Sequence, residues 1–245
     1  MLDLELLEQL KSLYQGLHTE VTLEHSESSH ANQHELIELI QEIASTSDKI
    51  KVASSGKTTD IPTLRLIVAG KPTGVHFHGV PGGHEFTSLA LGIMHTNKLG
   101  KLPDEAIQAR IKRLQGPIKL RTFISLSCEN CPEVVQALNM MALIHDDFEH
   151  TMVDGAHVQE EVQRLRVQGV PSVMSGDKLV SSGKASLTDV LSKLEAEFGS
   201  RSANAEDLDL GAFDVVVLGA GPAGASAAIY SARKGLKTAI IADRI

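Results

Sequence analysis

The 245-residue sequence has only two cysteines. That is too few for a disulfide-stapled scaffold, and too few for a structural zinc site of four ligands built on two cysteine pairs. It also lacks a basic excess, since 23 Lys and Arg face 31 Asp and Glu for a formal charge of −8. With a pI near 5.7, nothing electrostatic favours nucleic acid or an anionic membrane surface as partner. No apolar run approaches a membrane span. The N-terminus carries Asp3, Glu5 and Glu8 where a secretory signal would carry a basic segment and an apolar core. These absences predict a folded cytoplasmic protein, with 42% hydrophobic residues to build one large domain or two ordinary ones. In that compartment a lone cysteine pair is expected to be catalytic.

The pair is Cys128-Glu129-Asn130-Cys131-Pro132. An apolar, β-prone run over 118–125 precedes it, and a helical pattern from Pro132 to Ile144 follows. A strand thus delivers the first cysteine to a helix N-terminus, where free N–H groups and the helix dipole favour a thiolate. Cys128 is expected to be the exposed, attacking sulfur. Cys131, one turn on and shielded, is placed to resolve the mixed disulfide.

The chain also repeats itself. Ile61-Pro62-Thr63-Leu64 and Val170-Pro171-Ser172-Val173 are matching tetrads. Each is followed by a strand, a glycine turn, a second strand and a closing helix, over 85–95 in the first half and 186–198 in the second. Ahead of the first tetrad the pattern predicts a helix over 2–13, a strand at 21–23, a helix over 34–44 and a strand at 50–52. Ahead of the second it predicts the dithiol helix, a strand over 148–153 and a helix over 158–166. The fold class is α/β, two copies of one unit at 1–100 and 101–198.

After Phe198 a polar linker over 199–212 leads to an apolar strand over 213–218, then Gly219-Ala220-Gly221-Pro222-Ala223-Gly224, a helix through Arg233, and a strand ending before Asp243. A glycine fingerprint between strand and helix, with an acidic residue about twenty positions on, is the dinucleotide-binding context. Gly219, Gly221 and Gly224 would admit a pyrophosphate and Asp243 would take ribose hydroxyls. One such βαβ unit, over 213–245, cannot complete a cofactor site. It reads as the truncated start of a Rossmann-type flavin domain, and this stretch alone is not expected to bind the cofactor.

The repeated pattern resembles the thioredoxin fold, in which a cis-proline loop lies against the dithiol. That resemblance gives Pro171 an active-site role and predicts cis bonds before both Pro171 and Pro62. A cysteine-free thioredoxin-like unit, a C-x-x-C unit, a polar linker and a flavin fingerprint, in that order, resemble the F subunits of alkyl hydroperoxide reductases. The resemblance covers the whole chain. It implies FAD and NAD(H) as cofactors of the complete protein, a homodimer, and a peroxiredoxin partner whose disulfide the Cys128–Cys131 dithiol reduces. It also draws Glu85, in Gly83-His84-Glu85-Phe86, towards the dithiol as an acidic helper. The plain alternative is a carboxylate favoured by a helix N-terminus. Glu129 stands where the family often has His, and its charge is expected to disfavour the Cys128 thiolate. Two other functions fit the same motifs: a general protein disulfide oxidoreductase and a noncatalytic docking module. His76, His78 and His84 read as surface histidines, Met140 and Met141 as core, and Glu160-Glu161 as a solvated helix face.

Overall fold

The computed structural model describes residues 2–201 and 211–242. They fall into two units, Met1–Arg201 and Ser202–Ile245. The first unit opens with helix α1 (Leu4–Tyr14), whose N-terminus is closed by the Asp3 carboxylate accepting the Leu6 N–H. Strand β1 (Val21–Glu27), α2 (Gln33–Ala44), β2 (Ile50–Thr58), β3 (Thr63–Val68) and β4 (Lys71–His78) follow, then a 3₁₀ turn (Gly83–Glu85) and α3 (Phe86–Thr96). After α4 (Glu105–Arg113) come β5 (Ile118–Ile124), α5 (Cys131–Ile144), β6 (Phe148–Asp154), a 3₁₀ turn (Gly155–His157), α6 (Gln159–Arg164), β7 (Ser172–Ser175), β8 (Lys178–Ser182) and α7 (Leu187–Phe198).

All eight strands form one sheet in the order β2-β1-β3-β4-β6-β5-β7-β8, and that order is the same four-strand pattern written twice. In each half the first strand runs parallel to the second and antiparallel to the third, and the third pairs antiparallel with the fourth. The halves join through parallel pairing of β4 with β6, which sets Phe77 opposite Met152, both fully buried. The tetrads hold equivalent places. Gly79 N–H donates to the Pro62 carbonyl at 2.8 Å and Gly183 N–H to the Pro171 carbonyl at 2.9 Å.

One expectation is corrected here. The Val170–Pro171 bond is cis, but Ile61–Pro62 is not; the other cis bond among the described residues is Gly116–Pro117. Trans is the default for an X–Pro bond, and the Ile61 carbonyl is occupied by the Thr59 and Thr63 hydroxyls at 2.8 and 3.2 Å. Those bonds give the first loop a shape of its own.

The core lies between the sheet and its helices. Val21, Leu23, Leu36, Ile40, Leu64, Phe77, Leu89, Leu138 and Met141 are all sealed from solvent. A smaller cluster of Phe123, Val153 and Met174 sits under Val158, Val162 and Leu165 at α6. The first half has no helix between β2 and β3, so polar residues stand there instead: Glu24 opposite Arg65, and Arg65 opposite His76. His76 and His78 are therefore half-buried sheet residues rather than surface ones, and loss of hydration pushes both imidazole pKa values down, His78 to about 4. Glu161 also departs from a solvated face, because it pairs with Arg121 at 2.7 Å and Arg164 at 3.3 Å.

The charge-rich helix α4 is an element the pattern reading passed over. Asp104 caps it by accepting the Ile107 N–H, Ile111 is its buried anchor, and Arg110 reaches Glu195 on α7 at 2.7 Å. Gly199 to Arg201, read as the start of the linker, are tied down. Gln115 N–H donates to the Gly199 carbonyl and Arg201 N–H to the Arg113 carbonyl.

The second unit comprises β9 (Val215–Leu218), α8 (Pro222–Arg233) and β10 (Thr238–Ile241), with the two strands parallel. Two strands and one helix cannot cover both sheet faces, and Leu218, Ile229, Tyr230 and Ile241 are accordingly exposed. Asp243 lies outside the described residues.

Candidate functional site: a dithiol at a helix N-terminus

Strand β5 ends at Ile124, a short loop carries Cys128 out of the sheet, and α5 begins at Cys131. The two cysteines form a disulfide with Cα atoms 5.5 Å apart. Cys131 is fully buried and Cys128 half-exposed, so an incoming sulfur can reach Cys128 alone. Asn130, at the N-cap, makes no side-chain capping bond. The first-turn N–H groups of α5 are left to stabilise negative charge on sulfur. Val170, immediately before cis Pro171, places its carbonyl oxygen 3.9 Å from Cys128 Sγ. Pro171 thus stands beside the dithiol, with Val170 38% exposed at the rim. Val170 itself was passed over in the sequence, where only the proline carries a signal.

Glu85 is brought to the same end of the molecule. Its 3₁₀ turn is pinned to the loop before Cys128 by the His84 N–H, which donates to the Leu126 carbonyl at 3.1 Å. Gly83 makes this approach possible, with φ +52° and a Cβ position only 2.7 Å from Leu126 O. Gly83→Ala is expected to cost about 1–3 kcal/mol of stability through the left-handed backbone and that clash. A denaturant titration of the two chains measures it, and an unchanged midpoint would show that the turn can withdraw from the dithiol loop.

Glu85 is buried, and neither carboxylate oxygen has a hydrogen-bond partner among the described residues. Its pKa is pushed up to about 7 by lost hydration, opposed only by the nearby Ser88 hydroxyl. A buried carboxyl poised near neutrality can hold or release a proton, which a group at a solvated helix N-terminus would not do. Glu129, by contrast, is exposed, where water screens its charge.

A buried polar network holds α5 in place. His150 Nδ1 is 2.7 Å from Asn139 Oδ1, and His150 Nε2 is 2.8 Å from Thr122 Oγ1. The helix is thereby fixed to both β6 and β5. Burial lowers the His150 pKa to about 3, so a neutral ring donates through Nδ1 to the amide oxygen and accepts the Thr122 hydroxyl. The network was missed in the sequence, although an Asn within Ala137-Leu138-Asn139-Met140-Met141 is a legible sign of a buried polar contact. Because the unfolded ring titrates near 6.5 and the folded one near 3, His150 costs the folded state increasingly as pH falls from 6.5 towards 3. In His150→Leu that loss should flatten, while the orphaned Asn139 and Thr122 groups lower stability at neutral pH by about 1–3 kcal/mol. Thermal melts of both chains from pH 4 to 8 would show it; parallel curves would mean that the ring is solvated.

In the second unit the glycine turn has the shape its fingerprint requires. Gly219 has φ +97°, a Cβ on Gly224 would collide with the Gly219 carbonyl, and nothing lies within 4 Å of a Cβ on Gly221. The N-terminus of α8 carries no side-chain cap. A phosphate could thus approach the Gly221 backbone and the uncapped N–H groups. Among the described residues no group of three or more His, Cys, Asp or Glu is placed to hold a metal, and no helix is long and apolar enough to cross a membrane.

Residues 118–196 match the thioredoxin domain family and residues 214–245 the family of glucose inhibited division protein A. Over its whole length the chain is 38% identical to the alkyl hydroperoxide reductase F subunit of Pseudomonas putida and 40% identical to that of Staphylococcus epidermidis (strain ATCC 12228). It is 37% identical to a protein named NADH dehydrogenase in Bacillus subtilis (strain 168). In each case it spans 47% of the relative, about half its length. Among solved structures, the N-terminal domain of alkylhydroperoxide reductase AhpF from Enterococcus faecalis (V583) aligns with a TM-score of 0.74 and 26% identity, covering 79% of this chain and 100% of that one. A protein disulfide oxidoreductase from Aeropyrum pernix shares the fold, with a TM-score of 0.68 at 18% identity, covering 83% of this chain and 97% of that one. With one thioredoxin-like half that carries the dithiol, another that lacks it, and a dinucleotide-type glycine turn behind them, the chain is similar along its whole length to alkyl hydroperoxide reductase F subunits, and in fold to the N-terminal domain of one of them.

Proposed function

We propose that this chain is the disulfide-reducing arm of a flavin-dependent peroxiredoxin reductase. The observation that carries the reading is the pairing of a half-exposed Cys128 with a buried Cys131 at an uncapped helix N-terminus, beside the carbonyl of Val170. Cys128, as thiolate, attacks one sulfur of the partner's disulfide; a mixed disulfide forms and the partner's other sulfur leaves as a thiolate. Cys131 loses its proton and attacks Cys128 Sγ, which closes the Cys128–Cys131 disulfide and frees the second partner sulfur. Two electrons pass to the partner, whose two sulfurs leave as thiolates and are protonated from water. Glu85, buried near the loop before Cys128 with its raised pKa, is the group we assign to take and return the Cys131 proton. Pro171 shapes the rim on which the partner segment lies.

The chain is read as two thioredoxin-like units at 1–100 and 101–198, a linker, and the start of a flavin domain from 213. Bound FAD would supply electrons drawn from NADH in the complete protein. On this chain Gly219, Gly221 and Gly224 would admit its pyrophosphate. Reduction of a small aromatic disulfide tests the dithiol by itself. Wild type should turn over with a chemical reductant, and Cys128→Ser should be inactive. A wild-type chain that adds nothing to the rate of the chemical reductant alone would favour a docking role instead.

A further inference from the structure

The first half of the sheet keeps a proline loop equivalent to the one beside the dithiol. Residues 58–61 lead into Pro62 as Gly169 and Val170 lead into Pro171, and both prolines accept the equivalent glycine N–H. Helix α2 opens at Gln33 as α5 opens at Cys131. Against the 58–61 turn lies a groove of about 940 Å³, walled on the other side by the 3₁₀ turn and α6 through Ala156, His157, Gln159, Glu160 and Arg164. The cleft at Val170 has about 290 Å³, and it too is lined by Ala156 and Gln159. The two meet over the N-terminal end of α6. A chain lying in the cleft at Val170, whose carbonyl oxygen is 3.9 Å from Cys128 Sγ, can therefore run on into the groove.

Resting on the function proposed above, we infer that this groove docks the polypeptide flanking the partner's disulfide, through a basic side chain held between Asp60 and Glu160. The groove does not grip a backbone as the dithiol's cleft can, since the Thr59 and Thr63 hydroxyls already occupy the Ile61 carbonyl. Recognition falls to side chains. Asp60 on the turn and Glu160 on α6 both line the groove, both are exposed, and neither has an ion pair or side-chain hydrogen bond among the described residues. The guanidinium of Arg164, which also lines the groove, is held by Asp177 at 2.8 Å and Glu161 at 3.3 Å. His78 is kept neutral by burial and by the neighbouring His76 and Arg121. The groove thus presents unpaired negative charge to a ligand delivered along the cleft, which suits Lys or Arg on that segment.

The test uses the full chain, reduced with dithiothreitol and freed of it, mixed in a stopped-flow instrument with an oxidised peroxiredoxin or with a small aromatic disulfide. Asp60→Asn/Glu160→Gln should slow reduction of the peroxiredoxin about fivefold to tenfold and weaken its salt dependence, with the small disulfide unaffected. The charge reversal Asp60→Lys/Glu160→Lys should slow it further. Unchanged peroxiredoxin rates in both variants, or equal slowing with both substrates, would overturn the docking site and leave the dithiol's role intact. A wild-type chain that reduces the small disulfide and not the peroxiredoxin would overturn the partner assignment, and the docking site with it.

Discussion

In Cys131→Ser, a mixed disulfide between Cys128 and an oxidised peroxiredoxin should accumulate, visible as a reducible conjugate of the two masses. Cys128→Ser should form none. The asymmetry follows from burial: Cys131 has no solvent-exposed surface, whereas Cys128 stands at the rim next to Val170. Turnover should fall at least about a thousandfold in either variant, because nucleophile and resolving thiol act as one unit. A conjugate obtained through Cys131 in the Cys128→Ser chain would reverse the order of attack.

Glu85→Gln should change the pH dependence of stability around neutrality. The folded carboxyl has its pKa raised to about 7 from 4.5, so the folded state binds a proton that the unfolded state has released. The stability this contributes is fully present below pH 4.5 and is lost as pH rises through 7. The whole swing is about 3 kcal/mol. Glu85→Gln removes it, leaving the variant more stable than wild type above pH 7 by about 1–2 kcal/mol once its own unpaired amide is counted. Chemical denaturation at pH 5, 6, 7 and 8 reads the effect directly. A variant whose stability tracks wild type at every pH would place the carboxyl in water. Disulfide reduction by the same variant should lose its inflection near pH 7 if the carboxyl relays the Cys131 proton.

Much of this architecture is legible in the sequence because it rests on local signals. Cys128 and Cys131 between an apolar run and a helical run, the two proline tetrads, and the glycine turn between strand and helix each state their own context. Helix α4 escaped because charged residues dominate it and a single buried Ile111 anchors it. The conformation of Pro62 was misread because a matching tetrad does not record which hydroxyls capture the carbonyl before it. The His150, Asn139 and Thr122 network joins three elements, and Glu161 finds Arg121 forty positions away. Contacts of that range are fixed by packing and leave little trace in periodicity. The burial of Glu85 is of the same kind, since its turn is set against the loop before Cys128 by the approach of Gly83 and His84 to Leu126.

The most direct test is a single-turnover transfer from the reduced chain to a stoichiometric amount of oxidised peroxiredoxin, with thiols and disulfides on both proteins counted by mass spectrometry after an acid quench. One Cys128–Cys131 disulfide should appear for each peroxiredoxin disulfide lost, with a transient conjugate through Cys128 between the two. A peroxiredoxin disulfide that persists beside a fully reduced Cys128–Cys131 pair would contradict the assignment of this chain as its reductant.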